Sequence, residues 1–434
     1  MKFWDIISTS NANLLRNKGR TFLTMLAIFI GAFTIIMTTG ISTGFDSYID
    51  RQVSSVGAND YLEVLPASMA QQINAVSSGS NGVNEYKPAS DDDTHSTQVL
   101  TESDLKKIRK INGVKSAKFY RQFQVEYITL GGKHKKYETN VATKPTDTMK
   151  IDLAAGRDTK IDGDKAEIVL PDKFVKPLGF KNNQDAIGKT VKLGVVSRAT
   201  NKISETEVKV VGVQNASLVG MGSALINEKA GDGIDAIANK GMPKEYTGQH
   251  YAILVNLASD YANKSGVNKV KKEVTKLGYG SMTVSDGADM IKLFFGAITS
   301  VLTIFGVIAL VAASIGIINT LYMSVQERTS EIGLMKAMGL SKGKIFAMFS
   351  TEAVAMGFWS AMAAVVVAYL SKGAINNWAS NSIVQGLPGF ALVALDPRTL
   401  VMIVVVIMLI AFVAGTLPAR SASRKDPIDA LRYE

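Results

Sequence analysis

The chain of 434 residues is 47% hydrophobic and 20% charged, with a mean hydropathy of +0.13, more apolar than an ordinary soluble domain and unlike a disordered one. Cysteine is absent, which excludes disulfides, thiolate metal sites and a cysteine nucleophile. The net charge of +10 resembles that of a nucleic-acid binder, yet residues 46–290 hold 33 basic and 30 acidic residues. The excess therefore sits beside apolar runs, where it marks membrane topology, and no nucleic-acid partner is expected.

The first apolar run carries no charge between Arg20 and Asp46, and predicts a transmembrane helix over 21–45 that stays as an anchor. Residues 46–291 then form one large domain. In it Tyr61 to Leu65 is apolar, and the Ser-, Gly-, Asn- and Asp-rich stretch over about 68–98 reads as a mobile loop. Asp91, Asp92 and Asp93 lack the alternate spacing and turn glycine of a calcium loop. Thr101 caps a helix that runs to about Lys110 and stops near Gly113, and a strand begins at Val114. A hairpin turns at Gly131 and Gly132, between alternating Phe123, Val125, Tyr127 and Tyr137, Thr139, Val141. Short β-like runs fill about 150–247, which reads as a separate β-rich insertion. After it come a strand over Tyr251 to Leu257, a helix over Asn268 to Leu277 stopped by Gly278, and a strand over Met282 to Val284.

The second span, 292–326, is longer than a bilayer needs, so part of it projects as a stalk. A short polar segment, 327–344, precedes a third span over 345–371, a loop over 372–398, a fourth span over 399–419 and a tail over 420–434. Lys2, Arg16, Lys18 and Arg20 precede the first span; Arg328, Lys336, Lys342 and Lys344 separate the second and third; Arg420, Arg424, Lys425 and Arg432 follow the fourth. Only Lys372 and Arg398 flank the remaining loop, which puts both termini and 327–344 in the cytoplasm and 46–291 outside it. The fold expected is thus an α-helical membrane protein with four transmembrane helices and a large α/β extracytoplasmic domain. Glu352, near the cytoplasmic end of the third span, is expected to snorkel or to accept an interfacial hydrogen bond.

No catalytic constellation stands out. His95, His134 and His250 are too scattered for a metal site. Gly188, Lys189 and Thr190 look like the end of a phosphate loop, but Asn183 stands where its first glycine belongs, so no ATP site of this type is expected here. Ser281 and Ser285 lie near Asp286 and Asp289 with no histidine nearby in sequence, and read as structural.

The informative stretch is GIINTLYMSVQERTSEIGLMKAMG, residues 316–339. It closely resembles the signature of the MacB/FtsX-like, or mechanotransmission, ABC transporter permeases. Two further segments are similar to the same family: LLRNKGRTFLTMLAIFIGA (14–32), which looks like its amphipathic N-terminal helix and first span, giving 1–20 that helical role, and PARSASRKDPIDALRYE (418–434), its C-terminal tail. The resemblance implies a coupling helix within 327–344 that seats on an ATPase subunit. Ile332, Met335, Met338 and Gly339 would lie toward the partner, Arg328, Glu331 and Lys336 would frame the contact by charge, and Gly333 and Gly339 would allow close approach and a turn. Glu327 and Ala337 belong to the same surface, and Asp426 with Pro427 would open a second small contact element. It further implies a dimer of two permease copies or of sister permeases, ATP and magnesium held by the partner ATPase and no cofactor here, and an optional membrane-fusion or adaptor protein. The expected task is extracytoplasmic export or extraction of an antibiotic, peptide, lipid or lipoprotein. The alternative is an FtsX-like signalling subunit that regulates cell-wall hydrolases or senses peptides.

Overall fold

The computed structural model of the chain describes residues 10, 13–14, 18–56, 61–66, 69, 99–131, 135–146, 149–216, 223–243, 247, 250–382, 387 and 389–432. The expected N-terminal helix and the loop over 68–98 fall almost wholly outside them, as do His95 and His134. In chain order the elements are α1 (Lys18–Val56), β1 (Tyr61–Leu65), α2 (Glu102–Ile108), β2 (Val114–Tyr120), β3 (Gln122–Leu130), β4 (Tyr137–Thr143), β5 (Leu153–Gly156) and β6 (Glu167–Pro171). Then follow α3 (Val175–Leu178), α4 (Asn183–Ala186), β7 (Thr190–Val196), β8 (Ile203–Gln214), β9 (Ala224–Ile226), α5 (Glu228–Ala238), β10 (Ala252–Leu257), α6 (Lys264–Lys276) and β11 (Gly280–Met282). The chain ends in α7 (Val284–Glu327), α8 (Thr329–Ala337), α9 (Lys342–Ser382), α10 (Pro397–Arg424) and α11 (Pro427–Arg432). Two compact units result: Met1–Ser47, Phe294–Ile383 and Phe390–Glu434 in one, Tyr48–Leu293 with Val384–Gly389 in the other.

In the first unit, α1, α7, α9 and α10 are long and apolar enough to cross a membrane. Their arrangement is that of a lipid-facing bundle. Small side chains point inward, with Ala32 on α1, Ala313 on α7, Ala353, Ala361, Ala364 and Ala368 on α9, and Ala411 and Ala414 on α10 all buried. Phe22, Phe305, Ile315, Val405 and Leu409 are exposed, a pattern that water would penalise and hydrocarbon does not. Thr24 and Thr320 share a 2.7 Å hydrogen bond between α1 and α7. Close approach of α9 and α10 depends on Gly415, where an added Cβ would come within 2.4 Å of the Ala353 Cβ.

The helices outrun the uncharged runs that announce them. α7 begins at Val284, inside what the sequence suggested was a strand, and α9 continues to Ser382 through residues expected in a loop. The extension of α9 is held by Asn376, whose amide donates to the Val393 carbonyl at 3.1 Å and accepts from the Val393 N–H at 2.8 Å. Between the helices α8 spans only part of the segment expected as one coupling helix, and Lys342 to Lys344 already belong to α9.

In the second unit, β11, β1, β10 and β2 form an antiparallel sheet in that order. One face buries Leu62, Val64, Ile253 and Val255 under Leu105 and Ile108 of α2 and Val267, Val270 and Val274 of α6. The segments before and after the insertion therefore interleave into one sheet, β1 and β2 alternating with β10 and β11. The remaining strands pair in the order β8, β6, β9, β4, β3, β7, and β7 returns to β8, which closes a barrel with β5 added on β8. Val125, Ile128, Ile168, Leu170, Val191, Leu193, Val208 and Val210 fill its core, with Ala230 and Ile234 of α5 packed against them. The hairpin β3–β4 belongs to this barrel, so the β-rich insertion starts at Gln122 and not near residue 150. Arg121, at the crossover into the barrel, binds Glu228 at 2.9 Å, Asp232 at 2.9 Å and Asp235 at 2.6 Å, anchoring α5 beside the sheet.

Glu63 lies at the centre of β1, opposite Leu254 on one side and Met282 on the other, and burial raises its carboxyl from 4.5 to about 6. The folded chain thus holds this proton more tightly than the unfolded chain. The associated stability is present below pH 4.5 and is lost as pH rises through 6, a difference of up to about 2 kcal/mol. Glu63→Gln should raise the thermal unfolding midpoint of this domain at pH 8 and leave it unchanged at pH 4; an equal shift at both values would contradict the burial argument. In the bundle, Gly415→Val should cost about 1–3 kcal/mol by overpacking, read as a lower melting midpoint in detergent, with part of the loss recovered in the Gly415→Val, Ala353→Gly pair.

Candidate functional site

Glu327 ends α7, and the next residue, Arg328, leaves helical geometry at φ −111°, ψ 21° before α8 begins. The break is bridged by the Ile332 N–H, which donates to the Arg328 carbonyl at 3.0 Å, and by the Thr329 hydroxyl, which donates to Val325 at 3.1 Å. Arg328 folds inward and is only 8% exposed. Its Nε donates to Glu331 at 3.0 Å, its guanidinium lies 5.6 Å over the Phe349 ring, and its Nη1 stands 3.7 Å from Glu352. Arg328 is therefore an internal brace and does not frame an external contact, as the sequence suggested. Glu352 is buried at 4% exposure beside that brace, so it neither snorkels nor reaches an interface. On α1, Arg20 pairs with Glu327 at 2.7 Å.

Helix α8 has one face committed to its own chain. Ile332 and Gly333 are buried and Met335 is half-buried, among Val325, Ile345, Met348, Phe349, Ala419 and Ala422. Two of the side chains expected toward a partner, Ile332 and Met335, thus seat on α7, α9 and α10 instead. The opposite face is open: Leu334 is 53% and Met338 72% exposed, four residues apart and so one above the other, with Ala337 beside them. The helix closes with the Leu340 N–H on the Met335 carbonyl at 3.0 Å and the Gly339 N–H on Lys336 at 2.9 Å, a Schellman pair that needs Gly339 at φ +87°. Gly339 accordingly makes the turn expected of it, and it lies exposed at the end of the helix.

The tail adds a second element. Asp426 caps α11, its carboxylate accepting the Ile428 N–H at 2.8 Å, and Pro427 occupies the first helical position, where a missing N–H costs nothing. α11 packs against α8, with Ala430 buried and Ile428 76% exposed. The Lys336 ammonium donates to the Lys425 carbonyl between them. Desolvation, together with nearby Lys342, holds Lys336 below its ordinary range, and Asp426 partly offsets this. The structure thus brings Glu331, Lys336, Ala337, Asp426 and Pro427 onto two packed helices whose open apolar side chains are Leu334, Met338 and Ile428. Leu334 and Ile428 are not among the residues expected at the contact, although the four-residue spacing of Leu334 and Met338 places both on one helical face. Among the described residues no cluster of three or more His, Asp or Glu could hold a metal ion.

The MacB-like periplasmic core domain profile matches residues 21–273, more than half of the chain, and the FtsX-like permease C-terminal profile matches residues 303–427. An uncharacterized ABC transporter permease of Methanocaldococcus jannaschii is 24% identical over 442 aligned positions, covering 100% of this chain and 99% of its own length. The macrolide export ATP-binding/permease protein MacB of Acinetobacter baylyi is 26% identical over 96% of this chain and 58% of its own length. The crystal structure of the periplasmic region of MacB from Actinobacillus actinomycetemcomitans aligns with 56% of this chain and 97% of its own, at 16% identity and a TM-score of 0.33. With both profiles in sequence order and a relative aligned from end to end, the chain belongs to the MacB/FtsX-like family of ABC transporter permeases.

Proposed function

We propose that this chain is the membrane subunit of an ABC exporter in which a separate ATPase docks on α8 and α11, and α7 carries the stroke to the domain between the first two spans. The family implies an ATPase partner and a dimeric arrangement. In this reading both termini and α8 face the cytoplasm, because lysine and arginine crowd that side of the spans. ATP and magnesium bind the partner, and the dimer forms from two copies of this chain or from this chain and a sister permease. The substrate is an antibiotic, peptide, lipid or lipoprotein handled beyond the membrane, a class to which the export named for the Acinetobacter relative belongs.

The observation that carries the proposal is the open Leu334–Met338 face on a helix otherwise seated in its own chain, immediately after a helix of 44 residues. Such a helix is about 66 Å long, roughly twice the 30 Å hydrocarbon core, and is stiff enough to transmit displacement. Two apolar side chains in helical register are what a hydrophobic groove on a partner accepts.

The test is ATP turnover by the cognate ATPase in the presence of this chain. Leu334→Asp and Met338→Asp should each reduce permease-stimulated turnover by about tenfold or more, as loss of an interface anchor does, while the chain still inserts. Unchanged turnover in the double variant would place the ATPase elsewhere. Glu331→Lys should have a smaller effect. Gly333→Trp is a poor probe, since Gly333 is buried and the indole would disrupt the seat of α8 from within.

A further inference from the structure

Beside the break between α7 and α8 lies a cavity of about 170 Å³, lined by residues that include Asn13, Arg20, Glu327, Arg328, Glu352 and Met356. Four polar atoms of that lining have no hydrogen-bond partner among the described residues: Asn13 Nδ2, Arg20 Nη1, Arg328 Nη1 and Glu352 Oε2. Three are donors and one is an acceptor. Arg328 and Glu352 are both more than nine-tenths buried, yet their facing atoms stand 3.7 Å apart, beyond hydrogen-bond reach. Arg328 keeps its Nε bond to Glu331, but a buried polar atom of a charged group left without a hydrogen bond is costly, and Arg328 Nη1 and Glu352 Oε2, facing each other across such a gap, can both be satisfied by a molecule between them.

The charges of the lining decide what that is. Arg20 is paired with Glu327 and Arg328 faces Glu352, so each cation of the lining already has a carboxyl beside it and none stands free to recruit a phosphate. With donors and an acceptor both left over, the fitting occupant is a small neutral molecule that gives and takes hydrogen bonds. The volume is more than ten times the ~10–15 Å³ that one water requires, and the site supplies the two to four polar partners a buried water needs. We infer that this cavity holds an internal cluster of water molecules bridging Arg328 to Glu352, so that the brace at the start of α8 is a hydrated ion pair. A bridging water follows a displacement of the guanidinium that a direct contact would resist, which leaves the junction compliant.

Met356 provides the readout. It lines the cavity at 1% exposure, while Met348, also at 1%, packs in the apolar seat of α8 and does not line the cavity. X-ray radiolysis of the full chain in lipid nanodiscs makes hydroxyl radicals from bound water, which oxidise the nearest thioether. Met356 should be oxidised several-fold faster than Met348; equal rates in the unaltered chain would overturn the inference. Glu352→Leu, an apolar replacement of similar bulk, should bring Met356 down to the rate of Met348, and Asn13→Leu should lower it in part; a Met356 rate unmoved in both would place the water elsewhere. The experiment uses no ATPase, so its outcome is independent of where the ATPase docks.

Discussion

Hydrocarbon offers no hydrogen bonds, so every peptide group that enters it must be satisfied within its own segment. That constraint shapes the whole first unit. α1, α7, α9 and α10 run without a break through their apolar stretches, and irregular backbone is confined to their ends: Arg328 after α7, Gly339 after α8, and the segment returning past Asn376 after α9. Pro418 inside α10 lies near the basic end of that helix, beyond its most apolar part. With backbone polarity settled locally, the helices are held to one another by shape, which is why alanine and glycine line the contacts and bulky side chains face outward.

Burial within the protein makes the end of α7 a costly place for charge and explains how densely charge is compensated there. Arg20 meets Glu327, and Arg328 meets Glu331, the Phe349 ring and, at a distance, Glu352. These groups join α1, the α7–α8 break and α9 at one point, and Phe349, under the Arg328 guanidinium, also belongs to the apolar seat of α8. A short helix so placed cannot rotate freely, because Ile332 fixes its inner face in the apolar seat. Movement of α8 as a body requires movement of what it sits on.

How much of this was readable beforehand depends on whether the determinant was local. Uncharged runs announced all four membrane helices, but not their ends, because residues such as Asn376 and Trp378 continue a helix once a neighbouring segment holds them. Thr101, Gly113 and Gly278 marked the helices of the sheet domain by cap and turn chemistry. The barrel was not legible as such: nothing within β3 and β4 says that they pair with β7 and β9, since closure is decided by strands far away in sequence. The candidate site was visible as a motif, yet its orientation was not. Ile332 and Leu334 are similarly apolar, and residues outside α8, among them Phe349 of α9 and Ala419 and Ala422 of α10, determine which is covered.

The barrel enters and leaves the four-stranded sheet through one doorway. Tyr120, at the end of β2, is paired with Ala252, at the start of β10; β3 begins at Gln122, and the intervening chain returns just ahead of Ala252. The whole insertion thus occupies the position of a hairpin turn between two neighbouring strands. Such a graft can be lengthened, shortened or exchanged without re-registering the strands on either side, so the inserted module is free to diversify while the sheet that carries it stays constant.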